Sequence, residues 1–448
     1  MIKYIISSLA ILTISFQAFS QVKDYDQTAL LFGQEKLNGT ARFTSMSGAF
    51  GALGGDLSAA EINPAGMAIF NNNAAAITVG INSITNNNSF YNMYSQNKGS
   101  TLNIEQGGAN LIFDNNNSKW SKFSVSGNVS ISNNFDETIL LKGNNHTSSE
   151  SYFLEPDPDF DLYNNVEEQK INNATIGNNT KFTITISTKY NKSTYFGISL
   201  INNSIEYDQI NSIYENSVDP NNNTFSVNLN QDLKIYGQGV GFNFGIIKIP
   251  MKNLRLGLSF QTPTWYSLTE EFNENTRIDI SNADINQPNN QDWIWEYQLK
   301  TPSKTTGSIA YIFGKQGLLS LDYSYKDYSK TKLTPINEFE KDFNYNKAMN
   351  KEYTNVSTLN IGGEFRLKLI SLRAGYHYET SPYKNNNNEE YFTGYSFGLG
   401  FKTSQNSKLD FTYSNNKSID KNLYLNNSNY IITNNDTNKF IATYSINF

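Results

Sequence analysis

The sequence predicts an all-β transmembrane protein: an outer-membrane-type antiparallel barrel of about fourteen strands, preceded by an N-terminal hatch, or plug, with short helices. Three observations predict it. Apolar and polar residues alternate in segment after segment. Seven long polar connections alternate with six short turns. The chain ends on an aromatic residue, Phe448, at the end of a strand-like segment.

The elements follow in order. Lys3, the mostly apolar run Tyr4 to Phe16, and the small residues of Ala18-Phe19-Ser20 have the make-up of a secretory signal, so residues 1–20 are expected to be cleaved and the mature chain to start near Gln21. The apolar run is too short to cross a bilayer as a helix. Residues 21–72 are rich in Gly and Ala and lack a period of two. Asp26 to Lys36 is expected to form a short helix, with Leu30, Leu31 and Phe32 on one side. Ser58 to Ile62 is expected to form another, ended by Asn63-Pro64. The small residues between them, Thr44 to Gly55, suit chain folded compactly inside something else.

From about residue 74 the period becomes two, and residues 73–448 are assigned to the barrel. Val79 and Ile81 continue Ile77. Phe123, Val125, Val129 and Ile131 alternate with Ser124, Ser126, Asn128 and Ser130. Leu254, Leu256, Leu258 and Phe260 alternate with Arg255, Gly257 and Ser259. The same rhythm runs through Leu319 to Lys326, Leu372 to Glu379 and Phe440 to Phe448. Strands are expected near 74–84, 102–113, 121–134, 181–190, 194–206, 232–249, 253–268, 295–313, 317–330, 353–368, 370–380, 391–403, 407–415 and 437–448. An even number of strands puts both ends of the barrel on one side, where the short turns face the periplasm. Residues 224–249 and 291–313 each have room for one long strand or two.

Bulk properties narrow the function. A mean hydropathy of −0.51 suits a barrel, because only every second strand residue meets lipid. The 28 Tyr and 29 Phe supply interfacial anchors. The absence of cysteine excludes thiol catalysis, Cys-ligated zinc and iron–sulfur clusters. A net charge of −6 and a pI near 5.2 argue against a nucleic-acid partner. Two histidines, His146 and His377, and no Ser-His-acid constellation argue against an enzyme. The carboxylates of Glu155 to Asp161 lack the glycine and distal Glu of an EF-hand, so that loop is read as solvated, with no metal and no cofactor expected.

Specific strings then become recognisable. Gly48 to Ala59, running on into Asn63-Pro64-Ala65-Gly66, resembles the N-terminal hatch of the FadL/TodX outer-membrane transporters in their Bacteroidetes form. Thr301-Pro302 with Ala310 to Tyr323 looks like that family's central hairpin, and Leu372 to Tyr376 with Ser381-Pro382-Tyr383 looks like a later one. The resemblance implies passive uptake of hydrophobic molecules, such as long-chain fatty acids or aromatic hydrocarbons, through an apolar pocket gated by the hatch. It also implies release after hatch rearrangement or, in some members, sideways exit through a kinked strand. Relatives of this type also carry the label of hemin receptor. A surface or adhesin barrel that does not transport is the other reading, and it has no need of a hatch.

Within this frame, Phe43, Met46, Phe50, Leu53 and Leu57 either line the pocket or pack the plug. Asn63, Pro64, Ala65 and Gly66 can gate or merely turn the chain, since Pro removes a donor and Gly permits unusual φ. Arg42, Arg255, Arg366 and Arg373 either capture a ligand carboxylate or pair with lumen acids such as Glu364 and Glu379. The expected partners are hydrophobic small molecules, outer-membrane lipid and lipopolysaccharide, and the barrel assembly machinery through the strand ending at Phe448. A monomer is expected.

Overall fold

The computed structural model describes residues 25–90, 93–115, 119–143, 165–219, 221–281, 289–339, 344–384, 391–422 and 431–448. The signal, His146 and the acidic loop 155–161 lie outside these residues.

Fourteen antiparallel strands form the wall. They are β1 (Ala74–Phe90), β2 (Met93–Asp114), β3 (Trp120–Asn134, continued by Glu137–Gly143), β4 (Asn165–Tyr190), β5 (Thr194–Val218), β6 (Thr224–Met251) and β7 (Leu254–Gln261, continued by Trp265–Ile280). Then come β8 (Asn289–Lys300, continued by Lys304–Phe313), β9 (Gly317–Asp327), β10 (Asn355–Leu367), β11 (Ile370–Thr380), β12 (Tyr391–Lys402), β13 (Ser407–Asn422) and β14 (Ile431–Asn447). Each pairs with its neighbours in sequence. β1 pairs with both β2 and β14, Ala74 opposite Asn447 and Ser89 opposite Ile432, so the sheet closes. Closure leaves no strand edge without a partner, which a bilayer core requires.

The turn sites match the sequence reading, and the strand lengths do not. The short turns fall between Asp114 and Trp120, Tyr190 and Thr194, Met251 and Leu254, Phe313 and Gly317, Leu367 and Ile370, and Lys402 and Ser407. Asn191 and Gly314 adopt positive φ in two of them, 52° and 58°, which favours these residue types over β-branched ones. At the other end the strands run much further than expected. Most of 85–101, 207–231 and 269–294, read as loop, is strand.

The reason is a reversal of polarity along strands that keep their phase. In β5 the outward set begins Phe196, Ile198, Leu200, 37–44% exposed, with Ser199 pointing in. Beyond Asn202 the outward set begins Ser204, Glu206 and Asp208, and the inward set mixes Ile205, Tyr207 and Ile213, at most 1% exposed, with Asn203, Gln209 and Asn211. The lower part faces lipid and holds a polar lumen. The upper part has left the membrane, with water outside and an interior that holds apolar clusters among buried polar groups. One such interior cluster joins Phe90, Met93, Ile139, Leu141, Ile171, Ile213, Leu229 and Ile431.

Each of the two stretches that had room for two strands crosses the wall once. β6 is continuous. β8 breaks at 301–303, where Pro302 cannot donate to a ladder, and β7 breaks beside it at 262–264 around Pro263. Thr301 and Thr264 bridge the gap, each backbone N–H bonded to the other residue at 3.0 Å. The connection after β9 holds a short strand (Lys332–Thr334) and two helices, α4 (Ile336–Phe339) and α5 (Tyr345–Glu352).

Candidate functional site

Residues 25–73 run the length of the bore. Helix α1 (Tyr25–Gly33) lies toward the long-loop end, where the Tyr25 ring packs edge-on against Tyr297, Phe339 and Tyr345 at 5.1–5.7 Å. Phe32 packs between Phe135 and Tyr207. Burying a ring of this kind stabilises by about 1.5–3 kcal/mol. Helices α2 (Ala41–Ser45) and α3 (Ala59–Ile62) and a 3₁₀ turn (Pro64–Ile69) follow below. The segment leaves at the short-turn end, where Lys122 Nζ donates to the Phe70 carbonyl at 2.6 Å.

Wall glycines let the hatch backbone come close. A Cβ on Gly257 would sit 2.3 Å from the Gly51 carbonyl oxygen, and one on Gly362 would sit 2.5 Å from that of Met46.

Polar side chains fasten this segment to the wall at three places. At the top, Glu35 accepts from Lys181 Nζ at 3.0 Å, Gln261 Nε2 at 3.2 Å and Lys304 Nζ, and Lys326 Nζ donates to the neighbouring Gly33 carbonyl at 2.5 Å. Burial pushes the Glu35 carboxyl up, but Lys181, Lys304 and Lys326 outweigh it and hold the group well below the ordinary value. Close to the short turns, Glu364 accepts from Arg42 Nε at 2.9 Å and Arg373 Nε at 2.8 Å, and Arg366 Nη2 lies 2.6 Å away. Arg373 also donates to Asp410 at 2.7 Å. Also toward the short-turn end, Asn63 Nδ2 reaches the Gly51, Ile246 and Leu258 carbonyls at 2.8–3.4 Å, and its Oδ1 caps Ala65 N–H.

Asp26 works against docking. Burial first, and Glu352 of α5 second, raise its carboxyl from 3.8 to about 6. A raised acid costs the folded state nothing below about pH 4; the cost grows as pH rises and is complete above about 6. Asp26→Asn is therefore expected to raise the thermal unfolding midpoint in detergent at neutral pH, with the difference closing as pH falls below about 4. A difference that persists unchanged at low pH excludes this cause.

Beside α1 lies a cavity of about 260 Å³. Leu30, Leu31 and Leu37 of the hatch and Ile84 and Ile131 of the wall give its apolar side. Asn82, Asn86, Glu105, Asn133 and Glu137 are among its polar groups, and the upper ends of β11 to β14 border it. Mixed lining of this kind suits an amphiphile.

The model of the family described as outer membrane protein transport protein (OMPP1/FadL/TodX) matches residues 34–444. The chain belongs to this family. Solved structures agree on the fold. A Pseudomonas aeruginosa FadL homologue superposes with a TM-score of 0.57 at 14% identity, covering 92% of this chain and 99% of the other. The Ralstonia pickettii toluene transporter TbuX gives 0.55 at 14%, covering 93% and 100%. The Pseudomonas putida toluene transporter TodX gives 0.54 at 14%, covering 92% and 99%. No curated protein sequence matches. The chain is thus a FadL/TodX-type channel for hydrophobic molecules in the bacterial outer membrane, and not an enzyme. The short turns face the periplasm and the strand extensions face outside.

The hatch residues singled out from the sequence of this FadL/TodX protein sit below the cavity. Phe43, Met46, Phe50 and Leu53 form one cluster with Ala310 and Leu318 of the wall, and Leu57 is 3% exposed. None of them borders the cavity. Pro64 starts the 3₁₀ turn, Ala65 packs with Tyr195 and Ile247, and Gly66 packs on Gly54. Arg42, Arg366 and Arg373 converge on Glu364. Arg255 donates instead to the Leu53 carbonyl at 2.5 Å. His377 Nδ1 lies 2.6 Å from Asn360 Oδ1, with its ring edge-on to Phe392.

Sequence reasoning missed Glu35, Lys181 and Lys304. One signal was available: Lys181 falls on the lumen phase, opposite to Phe182, Ile184 and Ile186. β3 is interrupted too: its ladder is irregular between Ile131 and Asn133 and the strand breaks at residues 135–136.

Proposed function

We propose that this channel takes up long-chain fatty acids or aromatic hydrocarbons passively, through the cavity beside α1 and past a hatch formed by residues 21–72. The observation that carries the gating part is the seat of Glu35. A hatch carboxylate held by Lys181 of β4, Gln261 of β7 and Lys304 of β8 is a latch between a short segment and three wall strands. Glu61 of α3 shares Lys181 at 3.5 Å. A latch of this type has to open before cargo passes α1.

Binding needs no chemistry. Desolvation supplies roughly 25 cal/mol per Å² of apolar surface buried. The solved relatives include toluene transporters and a monoaromatic hydrocarbon channel, which favours small hydrophobic cargo. In this reading Phe43, Met46, Phe50, Leu53 and Leu57 meet cargo only after the hatch shifts. Arg42 and Arg373 steer an acidic head, and Asn63 to Gly66 are the hinge near the exit. The strand ending at Phe448 engages the barrel assembly machinery, the outer wall contacts lipid and lipopolysaccharide, and the protein works as a monomer.

Glu35→Gln tests the latch. Cells carrying the variant are expected to take up labelled hydrophobic probe several-fold faster than cells with the parent at equal expression, and Lys181→Met is expected to do the same. Uptake indistinguishable from the parent in both variants rules the latch out.

A further inference from the structure

The outer wall of a barrel is convex, yet this one carries a groove of about 670 Å³ on its lipid-facing side, running across β11 to β14 and β1. Sheet register places its floor in one row. Leu372, Leu399, Phe411, Ala442 and Val79 lie each directly opposite the next, and the four large ones are exposed. Ala442 makes the hollow. Its neighbours on the same face of β14 are Phe440 and Tyr444, both about half exposed, and a methyl between two rings leaves a gap. The Phe440 ring, tilted on Tyr413 with centroids 5.0 Å apart, forms one side.

A second observation concerns charge. Every short turn carries a lysine in or beside it: Lys119, Lys192, Lys252, Lys315, Lys368 and Lys402. At the short-turn end of the groove stand three, Lys368, Lys402 and Lys408, all exposed. Lys402 and Lys408 are directly opposite each other, and the Lys402 backbone N–H donates to the carbonyl of Leu369, next to Lys368, at 2.9 Å. Like charges opposed in a sheet repel. Among the described residues, no carboxylate lies within 4.0 Å of any of these three ammonium groups. Lys402 is three residues along β12 from Leu399, and Lys408 is three along β13 from Phe411. That step is roughly 10 Å of strand.

The geometry points to a seat for one anionic glycerophospholipid of the periplasmic leaflet, with an alkyl chain along the row from Leu372 to Val79 and the phosphate against Lys368, Lys402 and Lys408. Lipid tails are as apolar as leucine, so a smooth wall holds no particular chain. A groove does, because it touches the chain on several sides and each contact adds dispersion attraction. The head supplies selection. Lysine stems are long enough to follow the end of the wall while their ammonium groups meet the headgroup layer. An anionic head relieves the repulsion within the trio and is attracted to it. The seat lies outside the barrel, so it is independent of what the bore carries.

The test is native mass spectrometry of the purified barrel with its hatch, after incubation with equal amounts of phosphatidylglycerol and phosphatidylcholine bearing the same chains. One phosphatidylglycerol is expected to stay on the protein, in several-fold excess over phosphatidylcholine. Ala442→Phe, which fills the gap, is expected to lower retention of both lipids several-fold. Combining Lys368→Gln, Lys402→Gln and Lys408→Gln is expected to abolish the preference for phosphatidylglycerol. Combining Lys192→Gln, Lys252→Gln and Lys315→Gln, on turns outside the groove, is expected to leave it unchanged. The heat-modifiable gel shift shows that each variant is folded. Equal retention of the two lipids by the parent, or equal loss of preference in both triple variants, overturns the seat, since a basic rim then attracts headgroups without one. Unchanged retention in Ala442→Phe overturns the groove. A mass of two copies without lipid makes this face a dimer contact and overturns the inference as well.

Discussion

Replacing Glu364 with glutamine is expected to lower the stability of the folded barrel by about 3–5 kcal/mol, the cost of leaving buried charges without their partner. Glu364 is the shared acceptor of a hatch arginine and two wall arginines, and its side chain is 2% exposed. β-Sheet register puts Glu364 directly opposite Arg373 on the next strand, so the pair forms wherever the wall forms. Arg42 then joins from α2. Without Glu364, Arg42 keeps Asp56, 4.0 Å away, the Gly55 carbonyl and the face of the Phe50 ring. Arg373 keeps Asp410. Denaturant unfolding followed by the heat-modifiable gel shift in detergent measures the loss. Adding Arg42→Met to Glu364→Gln is expected to recover part of it, because one stranded cation is removed with its acceptor. A midpoint equal to that of the parent shows that the hatch is not anchored here.

What the sequence revealed follows one rule, and what it concealed follows from a change in that rule. In the membrane, alternation is apolar out and polar in, as in Phe123 to Ile131 or Leu254 to Phe260. Every strand carrying that pattern was found, and so was every short turn. Above the membrane the same strands turn polar outward, and Ile205, Tyr207, Ile213 and Leu229 point into an apolar interior. Period two persists there, but the Asn-rich outward set looks like loop. The hatch was recognisable from its small residues and its Asn63-Pro64 break. Its fastening was not, because Glu35 reaches Lys181, Gln261 and Lys304 across 146, 226 and 269 positions of sequence. Pairing with lumen acids was one of two readings of the arginines, and Glu364 gathers three of the four. The cavity was missed because it depends on how α1, itself expected as a helix, sits against Asn86, Asn133 and Glu137, which lie next to or within stretches read as loops.

Removing residues 25–70 is expected to convert a protein with no resting current in planar bilayers into one with sustained stepwise conductance. The wall does not need the hatch for closure, since β1 and β14 pair along their full length. It does need the hatch to keep water out. Ser124, Ser126, Thr185, Asn243 and Asp322 all face the bore and are at most 4% exposed. Cleared of the hatch, a polar wall of this kind hydrates as a porin lumen does. The opposing possibility is a barrier higher up, where Phe90, Ile139, Leu141 and Ile213 pack together inside the strand extensions. The two barriers give different results. If the hatch seals the bore, the deletion conducts, and the double variant Phe43→Ala, Phe50→Ala, which loosens the plug without removing it, flickers open. If the outer cluster seals it, the deletion still migrates as a folded barrel on gels yet carries no current until Leu141→Ser and Ile213→Ser are added.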